Sequence, residues 1–268
     1  MTVRRLERGA DDGYRSSLVL GLKSSVEAER LAAEIAFAAG RLRRLADDPP
    51  ELYAEGADDG GELEERTWLA FLIAYLCPLD GEDPFATVRA ARTSWSSGEQ
   101  PALAGMQCGP RTAHDPARGP RTLEAYRAWA ARAGSQAGAL SGDAAWKPER
   151  RFARAFERLA LPGLHRDARF DLLVILGSLR LYEMSAGSLQ LGGDSEVTLA
   201  AKRALGIGDV LLLERRAAEL AHACGVPLAA LDVGFYNWGR GERATLGLGT
   251  VDGPDPDSLT RAREALGL

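Results

Sequence analysis

The sequence predicts an all-α fold, and three observations support that class. Apolar residues recur at spacings of three and four along most of the chain, no period-2 alternation persists, and β-branched residues are few. With 46% hydrophobic and 26% charged residues over 268 positions, the chain has the composition of a globular protein with a sizeable core. This composition excludes disordered and fibrous proteins.

The first hundred residues contain three predicted helices and one predicted linker. Apolar residues at helical spacing predict an amphipathic helix over Ser24–Leu45, with a serine as its N-cap. Residues 47–61 are acidic and rich in Pro and Gly, which predicts a loop or linker. Glu62–Leu76 is apolar on most faces and predicts a buried central helix, and Phe85–Trp95 predicts a further helix.

The middle of the chain begins with a long predicted loop. Gly98–Pro120 has little periodicity and overlaps two copies of a Gly-Pro-Arg tripeptide, ten residues apart. Three helices are predicted after it, over Leu123–Ala139, Glu149–Leu159 and Asp167–Tyr182. We therefore divide the chain into an N-terminal helix with its acidic linker (1–61), a helical domain (62–245) and a C-terminal loop and helix (246–268).

Charge is distributed unevenly along the chain. The formal net charge is −5, but residues 101–180 carry 13 Lys and Arg against 7 Asp and Glu, whereas residues 1–100 carry 12 against 19 and residues 181–268 carry 8 against 12. A basic middle in an acidic chain favours an anionic partner for one surface. The alternative is an ordinary solvated face that mixes both signs.

Several kinds of site are excluded by their residue types. The three cysteines form no CxxC pair and the three histidines share no i, i+4 spacing, so the sequence predicts no disulfide scaffold, no metal site and no cofactor. The longest apolar run, Trp68–Cys77, is half a membrane span, and the first residues are charged. We therefore expect a cytoplasmic protein with no membrane partner. The P-loop signature is absent.

A tight helical hairpin is predicted in the last third. Asp194 is the predicted N-cap of a helix over Ser195–Leu205, and Asp209 is the predicted N-cap of a helix over Val210–Cys224. Only Gly206-Ile207-Gly208 connects the two helices. Glycines allow the turn and let backbone N–H groups approach an anion. Lys202 and Arg203 precede the turn and are predicted to bind phosphate. A purely structural turn between two helices is the alternative.

The residues after this hairpin carry a resemblance to a known superfamily. Gly225-Val226-Pro227 ends the second helix, and the next predicted helix, Leu228–Trp238, places Asp232 in its first turn and a half. These elements resemble the helix-hairpin-helix DNA glycosylase superfamily, in which the hairpin grips the DNA backbone and an aspartate follows. The resemblance implies an all-α glycosylase-like bundle over about residues 62–241. The lysine of bifunctional glycosylases is missing, so it implies no lyase activity.

Within this superfamily, the segment Leu231–Arg240 resembles the alpha-glutamyl/putrescinyl-thymine pyrophosphorylase families, which are associated with hypermodified thymine in DNA. The resemblance implies base-directed chemistry, with Asp232 as the catalytic carboxylate. Tyr236, four residues on, would stack on an extruded base, and Arg240 would hold a phosphate. The alternative is that Asp232 pairs locally and that the aromatic residues of this helix belong to the core.

Four arginines of the basic middle are predicted to contact nucleic acid as well. They are Arg111, Arg118, Arg166 and Arg169. The last two follow a second hairpin-like segment, Leu161-Pro162-Gly163-Leu164-His165, which lacks a suitably spaced aspartate and which we interpret as a supporting turn.

Three functional hypotheses follow, with DNA, a nucleotide or a nucleoside as the partner. The first is a base-directed enzyme that excises a base or processes hypermodified thymine. The second is a non-catalytic DNA-binding module. The third is a salvage N-glycosidase acting on free nucleosides or nucleotides, which would suit the acidic chain because it needs no long basic surface.

Overall fold

The computed structural model describes residues 9–249 and 253–268. All regular secondary structure in these ranges is helical, which confirms the predicted all-α class. None of the helices there combines the length and the apolar composition needed to cross a membrane. Their bounds are α1 Ser25–Asp47, α2 Leu52–Ala57, α3 Leu63–Leu76, α4 Ala86–Ala91, α5 Gly119–Arg132, α6 Gln136–Ser141, α7 Pro148–Arg158, α8 Arg166–Ser178, α9 Glu196–Leu205, α10 Val210–Cys224, α11 Leu228–Arg240 and α12 Pro256–Leu266.

The predicted linker over residues 47–61 is wrong in part, because it contains helix α2. Leu52 and Tyr53 of this short helix are buried, and the Tyr53 hydroxyl donates a hydrogen bond to the carbonyl oxygen of Leu246 at 2.8 Å. The acidic composition, rich in Pro and Gly, did not indicate that Leu52 and Tyr53 are buried. Packing with residues distant in the sequence stabilises the helix against its local composition.

The predicted helix over Leu123–Ala139 is two helices. Helix α5 starts earlier, at Gly119, with Pro120 in its first turn, where a missing N–H costs nothing. It ends at Arg132, and Ser135 caps α6 by accepting a hydrogen bond from the backbone N–H of Gly138 at 2.8 Å. The predicted helix over Phe85–Trp95 is also shorter in the structure, as α4.

The described residues separate into two compact units. We name residues 9–42, 188–244 and 253–268 the terminal unit, and residues 43–187 and 245–249 the central unit. Helix α1 supplies residues to both units. The domain boundaries predicted at residues 61 and 245 stay a prediction.

The central unit is built around α3. Every residue from Thr67 to Leu76 is buried, as the nearly continuous apolar sequence predicted, and α3 packs against α8. Aromatic rings stack along its surface: the ring centroids of Phe71 and Tyr126 lie 3.8 Å apart, and those of Trp68 and Phe71 lie 5.2 Å apart. Buried aromatic pairs of this kind dominate the energetics of a core.

The terminal unit is centred on α11, which packs against α9 and α10. Phe235 and Trp238 are fully buried, and the indole N–H of Trp238 donates to the carbonyl oxygen of Glu27 at 3.2 Å. A Cβ atom on Gly234 would lie 3.0 Å from the Cα of Ile35, so α1 and α11 approach closely at this glycine. The aromatic residues of α11 therefore do belong to the core.

Candidate functional site

The predicted hairpin forms in the terminal unit. Gly206 ends α9 in the left-handed conformation (φ 70°, ψ 24°), and the Asp209 carboxylate accepts a hydrogen bond from the backbone N–H of Leu212 at 2.9 Å. The first cap differs from the prediction, because Ser195 and not Asp194 accepts from the N–H of Thr198. A left-handed glycine and a side-chain N-cap are what a tight connection between two helices requires.

The two glycines of the hairpin have different surroundings. A Cβ atom on Gly206 would lie 2.9 Å from the backbone nitrogen of Gly21, and Gly21 donates a hydrogen bond to the carbonyl oxygen of Ala204 at 3.0 Å. No atom lies within 4 Å of a Cβ placed on Gly208. Gly206 is thus packed against the chain's own N-terminal segment, and Gly208 is the glycine whose backbone an anion can approach.

The two basic residues before the turn are also placed differently. Lys202 is half-buried on α9, with its charge one turn before Gly206. The Arg203 guanidinium carbon lies 3.8 Å from the ring centroid of Trp238, which makes a cation–π contact between α9 and α11. Of the two, Lys202 is the better placed to meet a phosphate.

Asp232 lies on the second turn of α11, as predicted, and its side chain is fully buried. Tyr236, one helical turn further along, is 3% exposed. A ring this deeply buried cannot stack on a nucleic-acid base in the conformation described here. A base would reach Asp232 and Tyr236 only after the residues covering α11 moved.

The C-terminal end of α11 is held by ion pairs. An Arg240 nitrogen lies 3.0 Å from a carboxylate oxygen of Glu196 on α9, and both side chains are about half-exposed. Nearby, the Glu34 carboxylate accepts hydrogen bonds from Arg243 at 3.0 Å and from the Asn237 amide at 3.4 Å. Sequence reasoning missed this second group of contacts because its members lie about 200 residues apart along the chain.

Two of the four predicted arginines of the basic middle are buried in the central unit. Arg111 donates two hydrogen bonds to the Asp171 carboxylate, each 2.7 Å long, and this ion pair is shielded from solvent. Arg166 lies 3.2 Å from an oxygen of Asp167 and 4.5 Å from the ring centroid of Phe170. Both guanidinium groups make structural contacts.

The other two arginines differ in exposure. Arg169 donates to the carbonyl oxygen of Phe156 at 3.2 Å and lies over the ring of the same residue; burial, followed by the neighbouring Arg166 charge, lowers its pKa. The Arg118 side chain is 74% exposed and lies 4.0 Å from Asp115. Arg118 is therefore the member of the predicted set of four that faces solvent.

A polar cluster beside the end of α3 went unpredicted. The loop before α5 lies along this end, with the Gly109 N–H donating to the Cys77 carbonyl oxygen at 2.7 Å. The Tyr75 hydroxyl lies 3.3 Å from Nδ1 of His114. Burial raises the pKa of the Cys77 thiol to about 12 and that of Tyr75 to about 12, so both groups are protonated at neutral pH. The cluster supplies no thiolate nucleophile.

Cavities and metal ligands do not indicate another site for the predicted residues. The central unit has a cavity of about 590 Å³ bordered by Asp47, Asp59, Arg66 and Arg180, and another of about 320 Å³ beside Arg151. Neither is lined by a residue of the predicted site. Within residues 9–249 and 253–268, no group of three or more His, Cys, Asp and Glu side chains is arranged to hold a metal ion.

Comparison with protein-family models, curated proteins and solved structures finds no match to this chain.

Proposed function

We propose that this chain binds nucleic acid through a glycosylase-like motif formed by α9, α10 and α11. One observation carries the proposal: the three helices pack against one another, a Gly-Ile-Gly turn joins the first two, and a buried carboxylate, Asp232, lies on the third. This is the arrangement that the resemblance to helix-hairpin-helix DNA glycosylases implies. Gly208 supplies an open backbone at the turn, and Lys202 supplies a nearby charge.

The physical basis is the exposed start of α10. Backbone N–H groups at a helix N-terminus attract anions, and a residue without a side chain lets a phosphate approach them. Asp209 acts against this attraction, because its carboxylate already caps the helix. We therefore expect modest affinity that depends on salt, with a small footprint on the nucleic acid.

The test is to block the open glycine. Because a Cβ on Gly208 meets no atom within 4 Å, Gly208→Val should fold while its side chain obstructs the backbone. Binding of fluorescent duplex and single-stranded oligonucleotides, measured by anisotropy at several salt concentrations, should weaken by about tenfold or more, which corresponds to the loss of about one charged hydrogen bond. Gly192→Val is the control, since Gly192 also has open space around it and lies away from the turn.

Unchanged binding by Gly208→Val would contradict the role of the hairpin. Absence of binding by the unaltered chain would contradict the proposed function itself. A melting temperature equal to that of the unaltered chain shows in each case that the variant is folded.

Base-directed chemistry at Asp232 is the second candidate function. It is favoured by the complete burial of this carboxylate, because an ionised group is costly to remove from water and is retained where pairing or chemistry requires it. In this reading Asp232 activates water or stabilises positive charge on the sugar as the base leaves. The burial of Tyr236 favours the non-catalytic alternative.

The same oligonucleotides, carrying normal and modified thymines, distinguish these readings by mass spectrometry of the released products. If the unaltered chain releases a base from the oligonucleotides and Asp232→Asn binds them without releasing it, base-directed chemistry on nucleic acid is supported. Release from free nucleosides or nucleotides alone would support salvage, and no release would leave a binding module.

A further inference from the structure

Helix α7 presents a row of exposed arginines on one face. Arg150, Arg154 and Arg158 are exposed and lie four residues apart. Because a helix rises 1.5 Å per residue, neighbouring members of the row are about 6 Å apart and the row is about 12 Å long. The opposite face is anchored in the core of the central unit through Phe152 and Phe156, so the row is attached to a fixed support.

The charge of this row is only partly neutralised. Arg154 pairs with Glu157 at 2.6 Å, and both side chains are about half-exposed. Arg150 and Arg158 form no ion pair with the residues that the structure describes. On the exposed surface of residues 147–158, four cations, Lys147, Arg150, Arg154 and Arg158, stand against two carboxylates, Glu149 and Glu157, in a chain whose net charge is −5. An exposed excess of this kind attracts an anionic partner.

Further groups with affinity for nucleic acid lie near the row in the sequence. Lys147 precedes it, and the exposed His165 follows it after the turn to α8. Trp146 is partly exposed, and the Arg150 guanidinium carbon lies 5.1 Å from its ring centroid. An indole beside a line of cations is the combination that binds unpaired bases by stacking and their backbone by charge.

We infer that the α7 arginine row is a further surface that contacts the phosphate backbone of a nucleic acid. The inference rests on the proposed function and adds the surface that supplies its electrostatic attraction. The three arginines lie along an exposed helix face over about 12 Å, and they line neither of the two cavities described above. A linear set of cations suits a polymer with regularly spaced phosphates, each of which a guanidinium can hold through two hydrogen bonds.

The experiment compares two triple variants that remove the same charge. The first is Arg150→Gln with Arg154→Gln and Arg158→Gln. The second, the control, is Arg132→Gln with Arg261→Gln and Arg263→Gln, which are exposed arginines on α5 and α12. All six side chains are exposed, so we expect both variants to fold with the melting temperature of the unaltered chain.

The readout is the slope of log Kd against log salt concentration for a duplex and a single-stranded oligonucleotide. Each lost phosphate contact lowers the slope by about 0.9 on duplex and about 0.7 on single strands. We expect the α7 variant to lose about two to three such contacts and at least about tenfold in affinity at low salt, and the control to lose less than one contact. Trp146→Leu should weaken single-strand binding more than duplex binding.

Two results would overturn the inference. If the unaltered chain binds and the α7 variant keeps its slope, or loses no more than the control, the row does not contact phosphate, although the proposed function stands. If the unaltered chain binds neither oligonucleotide, the inference and the proposed function both fail.

Discussion

The α7–α8 and α9–α10 hairpins are both helix pairs joined by a turn that contains glycine, yet their exposed surfaces differ in chemistry. Beside the α9–α10 turn, the first turn of α10 exposes apolar side chains: Leu211 is 82% exposed and Leu212 is 53% exposed. Asp209 adds a negative charge. The α7–α8 hairpin instead exposes the arginine row on its first helix and His165 at its turn.

This difference separates two properties that a hairpin motif is often taken to combine. Glycine spacing determines whether a tight turn forms, and the α9–α10 turn has such a spacing in Gly206-Ile207-Gly208. The side chains around a turn determine which partner it attracts, and the charge lies on α7–α8. A motif match therefore indicates a backbone geometry, and its partner has to be argued from exposure and charge.

The largest effect should come from the ion pair that anchors α8. Asp171→Asn leaves the buried Arg111 guanidinium without its carboxylate, and we expect the free energy of unfolding to fall by about 3–5 kcal/mol in urea denaturation. The counterpart on α10 is Glu219→Gln, which breaks surface ion pairs with Arg215 and Arg216 and should leave the urea midpoint unchanged. Equal effects of the two changes would contradict this contrast.

The second-largest effect on stability should come from the difference between the glycines of the two turns, Gly163 and Gly208. Gly163 has φ 78°, and a Cβ atom there would lie 2.1 Å from Oγ1 of Thr122 on α5. Gly163→Ala combines left-handed strain with a clash, so we expect a loss of about 2–4 kcal/mol in the same denaturation measurement. Gly208→Ala should change the stability by less than about 0.5 kcal/mol, because its Cβ meets open space.

A double variant separates strain from clash at Gly163. Thr122→Ala removes the hydroxyl that the new methyl group would meet, so adding it to Gly163→Ala should recover the clash portion and leave the backbone strain. If the double variant is no more stable than the sum of the single changes predicts, the two residues are not in contact.

The sequence predicted those parts of the fold whose signals are local. Helices α1, α3, α7, α10 and α11 have continuous helical periodicity or recognisable start and stop residues, and each forms close to its predicted bounds. Helix α2 went unpredicted because its stability depends on buried contacts such as that between Tyr53 and Leu246, which no local window contains.

For the candidate site, too, the sequence predicted only the features that neighbouring residues determine. The hairpin turn and the position of Asp232 follow from neighbouring residues, so the sequence located both. The burial of Tyr236 and the pairing of Arg111 with Asp171 depend on residues from distant segments, and a charge count along the chain cannot distinguish a paired arginine from an exposed one. The exposed face of α7 needed the structure for the same reason.

The smallest expected effect concerns the helix caps that follow the two turns. Asp209 caps α10 through its side chain, whereas His165 occupies the equivalent position before α8 and makes no side-chain cap. The backbone of His165 (φ −66°, ψ 162°) is close to that of Ser195 (φ −63°, ψ 150°), which does cap α9. The α8 N-terminus therefore has the geometry for a cap without the residue.

Removing the cap of α10 and adding a cap to α8 should change the free energy of unfolding in opposite directions. Asp209→Ala removes a cap and should lower the free energy of unfolding by about 1 kcal/mol, while Asp209→Asn, which keeps an acceptor oxygen, should restore most of it. His165→Ser should raise it by about 0.5–1 kcal/mol, because a serine oxygen can accept from a free N–H of α8. Since serine adds no charge beside the arginine row, a loss of nucleic-acid binding in His165→Ser would show that the imidazole itself contacts the ligand.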